Sequence, residues 1–331
     1  SMAEVGAVAF KLWTHAPSKP SELQGLYATD AHSIRKVLKT VLKVGSLQCV
    51  HAESQEVIAR ETKRLMEAGR KDPSAHAEAR PNEAEYTAVS LLIRLAYEVG
   101  ARLHFVHLST KEALLMVSEA KSQGYQVSAE TCPQYLLLTK EWMRKLGPYA
   151  KINPPLKSEA DTKALWRSLN GGVISTLGSD HAPHLKDEKE LGWTDIWRAP
   201  AGASTIECTL PLMLTKVNQG FISLQQLVKM MAENTANIYH LHHRKGAIQT
   251  GSDADFTIID LKKKFTIQRD KMYSRDKWSI LYDKWEVQGQ PIMTIVRGEI
   301  VMKDGEVLAK PGYGKFIQPL SGRALSPVST T

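Results

Sequence analysis

Five short apolar runs, each followed by a longer amphipathic stretch, occupy the first two-thirds of this chain, and few folds accommodate that alternation. The runs cover residues 5–13, 47–52, 102–108, 126–131 and 173–180, and helical patterns fall at 30–44, 54–68, 81–99, 111–123 and 158–169. Short buried strands alternating with helices predict a parallel sheet with the helices packed outside it. In the fourth helical pattern Leu114, Leu115, Val117 and Ala120 recur at near-helical spacing, and Gly124 follows as a stop.

Side chains alternate faces along a strand, so the period-two reading locates chemistry. Ala9 and Lys11 share a face, as do Cys49 and His51, Phe105 and His107, and Gly178 and Asp180. Each pair sets a small or apolar residue two positions before a polar one at the C-terminal end of its strand. That is the layout of a (β/α)₈ barrel, whose inner layers pack and whose upper rim carries reactive groups. Five strand-helix units are legible where a closed barrel has eight.

Beyond a helical stretch at 223–238 the pattern changes to strands and turns at 246–260 and 292–308. Val296-Arg297-Gly298-Glu299-Ile300-Val301 followed by Lys303-Asp304-Gly305-Glu306-Val307 predicts a hairpin turning at Asp-Gly. The expected organisation is a partial barrel over 1–243, a small β-unit over 244–323, and a flexible tail over 324–331.

The string Gly178-Ser179-Asp180-His181-Ala182-Pro183-His184 is the most pointed chemical signal. A carboxylate at the exit of a buried strand, followed by two histidines, fits a metal-assisted hydrolase. His51 and His107 also stand where strands meet loops, and imidazoles converging with a carboxylate on one rim make a plausible metal shell. Lys11 faces inward on its strand, where an ammonium is costly unless it is paired, with Asp180 for example, or chemically changed. His76, His104, His240, His242 and His243 lack the strand-end placement and read as packing or surface residues.

Composition narrows the class. The 331 residues are 43% hydrophobic and 24% charged, ordinary for a globular protein. No apolar run approaches the roughly 18 residues of a membrane helix. The net charge is +8, but the basic residues are scattered and lack interleaved aromatics, which argues against nucleic acid as a partner. Cys49, Cys132 and Cys208 are far apart in apolar segments, so free thiols in a cytoplasmic, reducing compartment are expected.

The chain resembles the cyclic amidohydrolases: dihydroorotases, allantoinases and hydantoinases. The similarity lies in Phe10-Lys11, Val50-His51-Ala52-Glu53, Ala79-Arg80-Pro81-Asn82-Glu83-Ala84-Glu85, Val106-His107-Leu108-Ser109, Glu130-Thr131-Cys132-Pro133-Gln134-Tyr135-Leu136, Asn153-Pro154-Pro155-Leu156 and the Asp180 string. Asp-His-Ala-Pro-His, with Lys186, Glu188 and Lys189 after it, is most similar to dihydroorotase; Glu130 to Leu136 leans towards hydantoinase and allantoinase. Asp253-Ala254-Asp255 is similar to a returning strand of the family's β-sandwich.

The resemblance implies an amidohydrolase-type (β/α)₈ barrel with zinc, in which Lys11 is a carboxylated bridging ligand, His51 and His107 bind metal, and Asp180 binds metal and shuttles a proton. It further implies that Asn153, His184, Ala201 and Gly202 meet a cyclic ureide or amide, with the 200–204 loop over the ring. Dihydroorotate is the first expected substrate, allantoin or a hydantoin the second, and a non-catalytic scaffold the third reading. Homo-oligomers are a further expectation. The sequence's one His-x-His, His240-Leu241-His242, follows the helical stretch at 223–238 and not a first strand. By the resemblance, the chain starts before the fourth family strand, leaving strands equivalent to 4–8, one zinc or none, and an impaired catalyst.

Overall fold

The computed structural model describes residues 2–16 and 27–320; the tail expected at 324–331 lies outside them. Five strands form one parallel sheet in sequence order: β1 (Ala9–Trp13), β2 (Leu47–His51), β3 (Leu103–Phe105), β4 (Val127–Thr131) and β5 (Thr176–Leu177). All five expected strands are present, though the fifth is much shorter than 173–180. The helices in the order of the chain are α1 (Ala31–Lys43), α2 (Gln55–Glu67), α3 (Pro73–Glu78), α4 (Asn82–Val99), α5 (Lys111–Ser122), α6 (Pro133–Leu137), α7 (Trp142–Leu146), α8 (Glu159–Asn170), α9 (Lys186–Glu190) and α10 (Ile206–Asn218).

The helix starts follow from local chemistry. Asp30, Ser54 and Thr110 each accept a hydrogen bond from a backbone N–H in the first turn of α1, α2 and α5, and Ser158 forms a reciprocal capping box with Asp161 at α8. Gly124, at φ 79°, closes the turn after α5 in a conformation that suits glycine. Leu115, expected on the apolar stripe of α5, is instead 70% exposed. The helical stretch expected at 223–238 runs through Leu224–Val228, a π-turn at Lys229–Glu233, and Asn234–Ile238.

Register divides the sheet into two faces. Leu12, Val50, Phe105 and Ala129 pair in one row and pack against Ile34, Leu38, Val89, Leu92 and Val117 from the helices. Lys11, Cys49, His104 and Ser128 form the opposite row. On that inner face Leu47, Cys49 and Val106 pack with Ala9, Ile238 and Tyr239. The expected pairing of Phe105 with His107 is therefore corrected: His104 is the inner residue of β3, and Phe105 faces the helices.

A second, antiparallel sheet contains β6 (Phe256–Thr266), β7 (Glu286–Val296), β8 (Glu299–Lys303) and β9 (Glu306–Val307). The Asp304-Gly305 turn joins β8 to β9 as expected, but Arg297-Gly298 makes a second turn inside the segment read as one arm. Both turns hold two consecutive residues at positive φ, the geometry of tight hairpins. Asp253-Ala254-Asp255 precedes β6; Asp253 pairs with Arg244 and Lys245, and Asp255 accepts from the Arg297 N–H. Pro291 stands beside a register shift in β7, where a missing N–H is tolerated. Among the described residues no helix is long and apolar enough to cross a membrane, and the three cysteines are free and buried.

Candidate active site

Lys11 and His51 reach the same end of the sheet because β1 and β2 run in parallel register, with Trp13 opposite His51. His107 follows β3 by two residues and Asp180 follows β5 by three. Both adopt left-handed backbone, φ 44° and 48°. Non-glycine residues held there carry a conformational cost and cluster at functional sites. The left-handed turn brings His107 to the rim although Phe105 faces the helices.

Of the four residues predicted as metal ligands, His51 and His107 are in contact, and Lys11 is within electrostatic reach of both and of Asp180. His51 Nδ1 lies 3.1 Å from His107 Nε2, with the rings edge to face. The Lys11 ammonium acts electrostatically on Asp180, His51 and His107, and it lies 5.0 Å from the centre of the Trp13 ring. Burial lowers the pKa of Lys11, His51 and His107, holding the imidazoles neutral. Burial also pushes Asp180 up to about 6, with Lys11 opposing and Glu130 reinforcing. A carboxyl in that range can both take and return a proton near neutrality.

Four partners were not singled out in the sequence. Glu53 Oε2 accepts from His51 Nε2 at 2.7 Å and forms a buried ion pair with Arg80. Burial works to raise the Glu53 pKa, but Arg80 and His51 hold it well below the usual carboxylate range. With its Nε2 proton committed to Glu53, His51 presents Nδ1 as a lone pair towards His107. His15 Nε2 stands 3.1 Å from His51 Nε2, and His15 Nδ1 bonds the Ala16 carbonyl. Thr14 Oγ donates to the Glu53 carbonyl, tying the exits of β1 and β2 together. Glu53 continues the period-two face of His51, and His15 that of Lys11 and Trp13, so both signals were readable.

His15, His51 and Glu53 form a cluster whose ligand atoms lie within 4.8 Å of one another. Glu53 is already neutralised by Arg80, and a dication beside that guanidinium would be repelled. On the other side of His51, Nδ1 faces His107 Nε2, two imidazole donors of the kind a metal uses, and Lys11 is within electrostatic reach of both rings and of Asp180. The His107 Nδ1 is buried without a hydrogen-bond partner. The residues present therefore fit a metal, with His51 and His107 as its imidazole donors.

The residues predicted to contact substrate sit on neighbouring loops. Asn153 precedes Pro154 through a cis peptide bond, and its Oδ1 is buried without a partner. His184 Nε2 bonds the Ala201 carbonyl at 3.2 Å, and the Gly202 N–H donates to the Lys151 carbonyl at 2.9 Å. A Cβ on Gly202 would collide with the Ala182 carbonyl oxygen, so glycine permits the close approach of the two loops. His181 and Ala203 form an isolated parallel bridge beside them. His76 and His104 are buried packing residues, bonded to the Ile152 carbonyl and Ser128 Oγ.

Histidines and a carboxylate follow the ends of parallel strands in one sheet. A family model, "Amidohydrolase family", matches residues 24–301, and the chain belongs to that family. It is 36% identical over 318 residues to an L-hydantoinase of Paenarthrobacter aurescens, covering 96% of this chain and 68% of that protein. It is 40% identical over 268 residues to a dihydroorotase of Methanothermobacter thermautotrophicus, covering 81% of this chain and 59% of that protein. Among solved structures, the L-hydantoinase (dihydropyrimidinase) from Arthrobacter aurescens superposes with a TM-score of 0.91 at 36% identity, covering 96% of this chain and 69% of that one.

Proposed function

We propose that this chain carries the rim of a metal-dependent cyclic amide hydrolase acting on hydantoin-type rings. The observation that carries the reading is the His51 Nδ1–His107 Nε2 approach at 3.1 Å beside Lys11 and Asp180. The preference for hydantoins over the dihydroorotate expected from the Asp180 string rests on the coverage of the L-hydantoinase, 96% of this chain against 81% for the dihydroorotase. Chemistry agrees: Asn153, His184, Ala201 and Gly202 offer an amide, an imidazole and small residues, with no lysine or arginine among them to hold a substrate carboxylate. Dihydroorotate remains the second reading, favoured by the 40% identity to the dihydroorotase.

Zinc is the proposed metal, and His51, His107 and Asp180 would hold it, joined by Lys11 if that lysine is carboxylated as the family resemblance implies. When bound, zinc supplies Lewis acidity at the ring carbonyl. Asp180 takes a proton from the attacking water as oxygen adds to that carbonyl, and returns it to the ring nitrogen as the C–N bond breaks. Glu53, fixed by Arg80, keeps the His51 proton on Nε2. The Asn153 and His184 side chains orient the ring. Because the only His-x-His, His240-Leu241-His242, follows a helix and does not stand at a strand exit, one zinc or none and slow turnover are expected of the chain alone. The free buried thiols support a cytoplasmic setting.

Zinc-loaded protein should open a 5-monosubstituted hydantoin, and chelated protein should not. Turnover of dihydroorotate with none of hydantoins would establish the second reading. Zinc binding without turnover of hydantoin, dihydroorotate or allantoin would establish a non-catalytic relative.

A further inference from the structure

Lys189 is 0% exposed, although it belongs to a helix of five residues between two surface loops. Its Nζ donates to three main-chain carbonyls: Lys151 at 3.0 Å, Pro200 at 3.1 Å and Gly202 at 2.8 Å. No carboxylate forms an ion pair with it among the described residues, so three carbonyl dipoles meet the charge. Burying an ammonium in this way is costly, and a methionine would fill the space without that cost. Packing alone does not account for it.

The three carbonyls belong to different parts of the wall around the candidate substrate residues. Lys151 stands two residues before Asn153, and its carbonyl also receives the Gly202 N–H. Pro200 and Gly202 flank Ala201 in a stretch without helix or strand. The carbonyls of Pro200 and Gly202 turn to Lys189, and that of Ala201 meets His184 Nε2. The far side of the loop is fastened separately: the neighbouring Lys151 Nζ donates to the carbonyls of Ile196 and Ala199.

We propose that Lys189 is a positioning residue whose ammonium locks the Lys151–Asn153, His184–Lys189 and Pro200–Gly202 segments together and thereby sets the pose of His184 and Ala201 against the substrate ring. The link to substrate rests on the function proposed above; the lock itself does not. Its consequence is selective. Loss of the ammonium loosens substrate binding while leaving Lys11, His51, His107 and Asp180, on their own strand exits, in place.

The test compares wild type, Lys189→Met, and Lys189→Gln, which keeps two N–H donors without the charge. Hydrogen exchange of the Gly202 and Ala182 amides, bonded to the Lys151 and Ala203 carbonyls, should quicken about tenfold in Lys189→Met, with the β2 amides unchanged. Lys189→Gln should recover part of that protection. With a 5-monosubstituted hydantoin, KM should rise about tenfold in Lys189→Met while kcat stays within about threefold. Unchanged exchange at both amides overturns the proposal, as does equal loss of protection in β2, which marks a merely structural lysine. If wild type opens no hydantoin, the proposed function fails, and the exchange result still decides the lock.

Discussion

A Cβ on Gly178 would lie 2.5 Å from the carboxyl carbon of Glu130 and within 2.7 Å of both its oxygens. Glu130 Oε1 also accepts the N–H of His107 at 3.3 Å. One carboxylate thus sits between the exits of β3 and β5, and a side chain at 178 would have to displace it. Gly178→Ala should cost about 1–3 kcal/mol of stability through overpacking. Adding Glu130→Ala should recover part of the loss, a coupling of about 0.5–3 kcal/mol by urea denaturation. Additive losses would show that the two residues do not meet.

Arg80→Met should leave the fully buried Glu53 carboxylate without its cation. The expected loss is about 3–5 kcal/mol, because an uncompensated buried charge costs more than the pair contributes. Arg80→Met/Glu53→Gln should be more stable than the single variant. Calorimetry should also show Glu53→Gln binding zinc about 10–100-fold more weakly, since the partner that orients His51 is changed. Zinc affinity equal to wild type would place the metal elsewhere.

Asp180→Asn should lower ring opening by about a hundredfold to ten-thousandfold, because the amide can neither take the proton of water nor return it to nitrogen. The circular dichroism spectrum should stay that of wild type. Retained turnover would remove Asp180 from the reaction.

Burial, reinforced by the charges of Arg80 and His51, lowers His15 to about 3 from the ordinary 6.5. The folded chain keeps this imidazole neutral while the unfolded chain protonates it below 6.5. Its contribution to stability is therefore complete above 6.5 and lost as pH falls towards 3. Metal-free wild type should lose about 1.4 kcal/mol per pH unit over that window relative to His15→Asn. Urea midpoints at pH 7 and pH 5 measure it, and parallel losses in the two proteins would exclude His15 as the source.

Strand and helix existence was legible because apolar periodicity is a local property, and the expected positions of α1, α2, α4, α5 and α8 match the structure to within a few residues. The four residues at the strand exits were legible for the same reason. What stayed hidden depends on three dimensions. The left-handed turn at His107 breaks the period-two rule that assigned Phe105 to the inner face. Arg80 reaches Glu53 from a distant loop, and Lys189 meets carbonyls 38, 11 and 13 residues away. Backbone acceptors carry no trace in residue type, so a lysine serving them looks like any surface lysine.

The positive φ of His107 and Asp180 has a bearing on ancestry and design. Asparagine or glycine would occupy either position with less strain. A descendant freed from its chemistry would gain stability by drifting to those residues at 107 and 180. An imidazole and a carboxylate held there at a conformational cost fit the roles proposed for them. Attempts to harden this chain against heat should leave those two turns untouched.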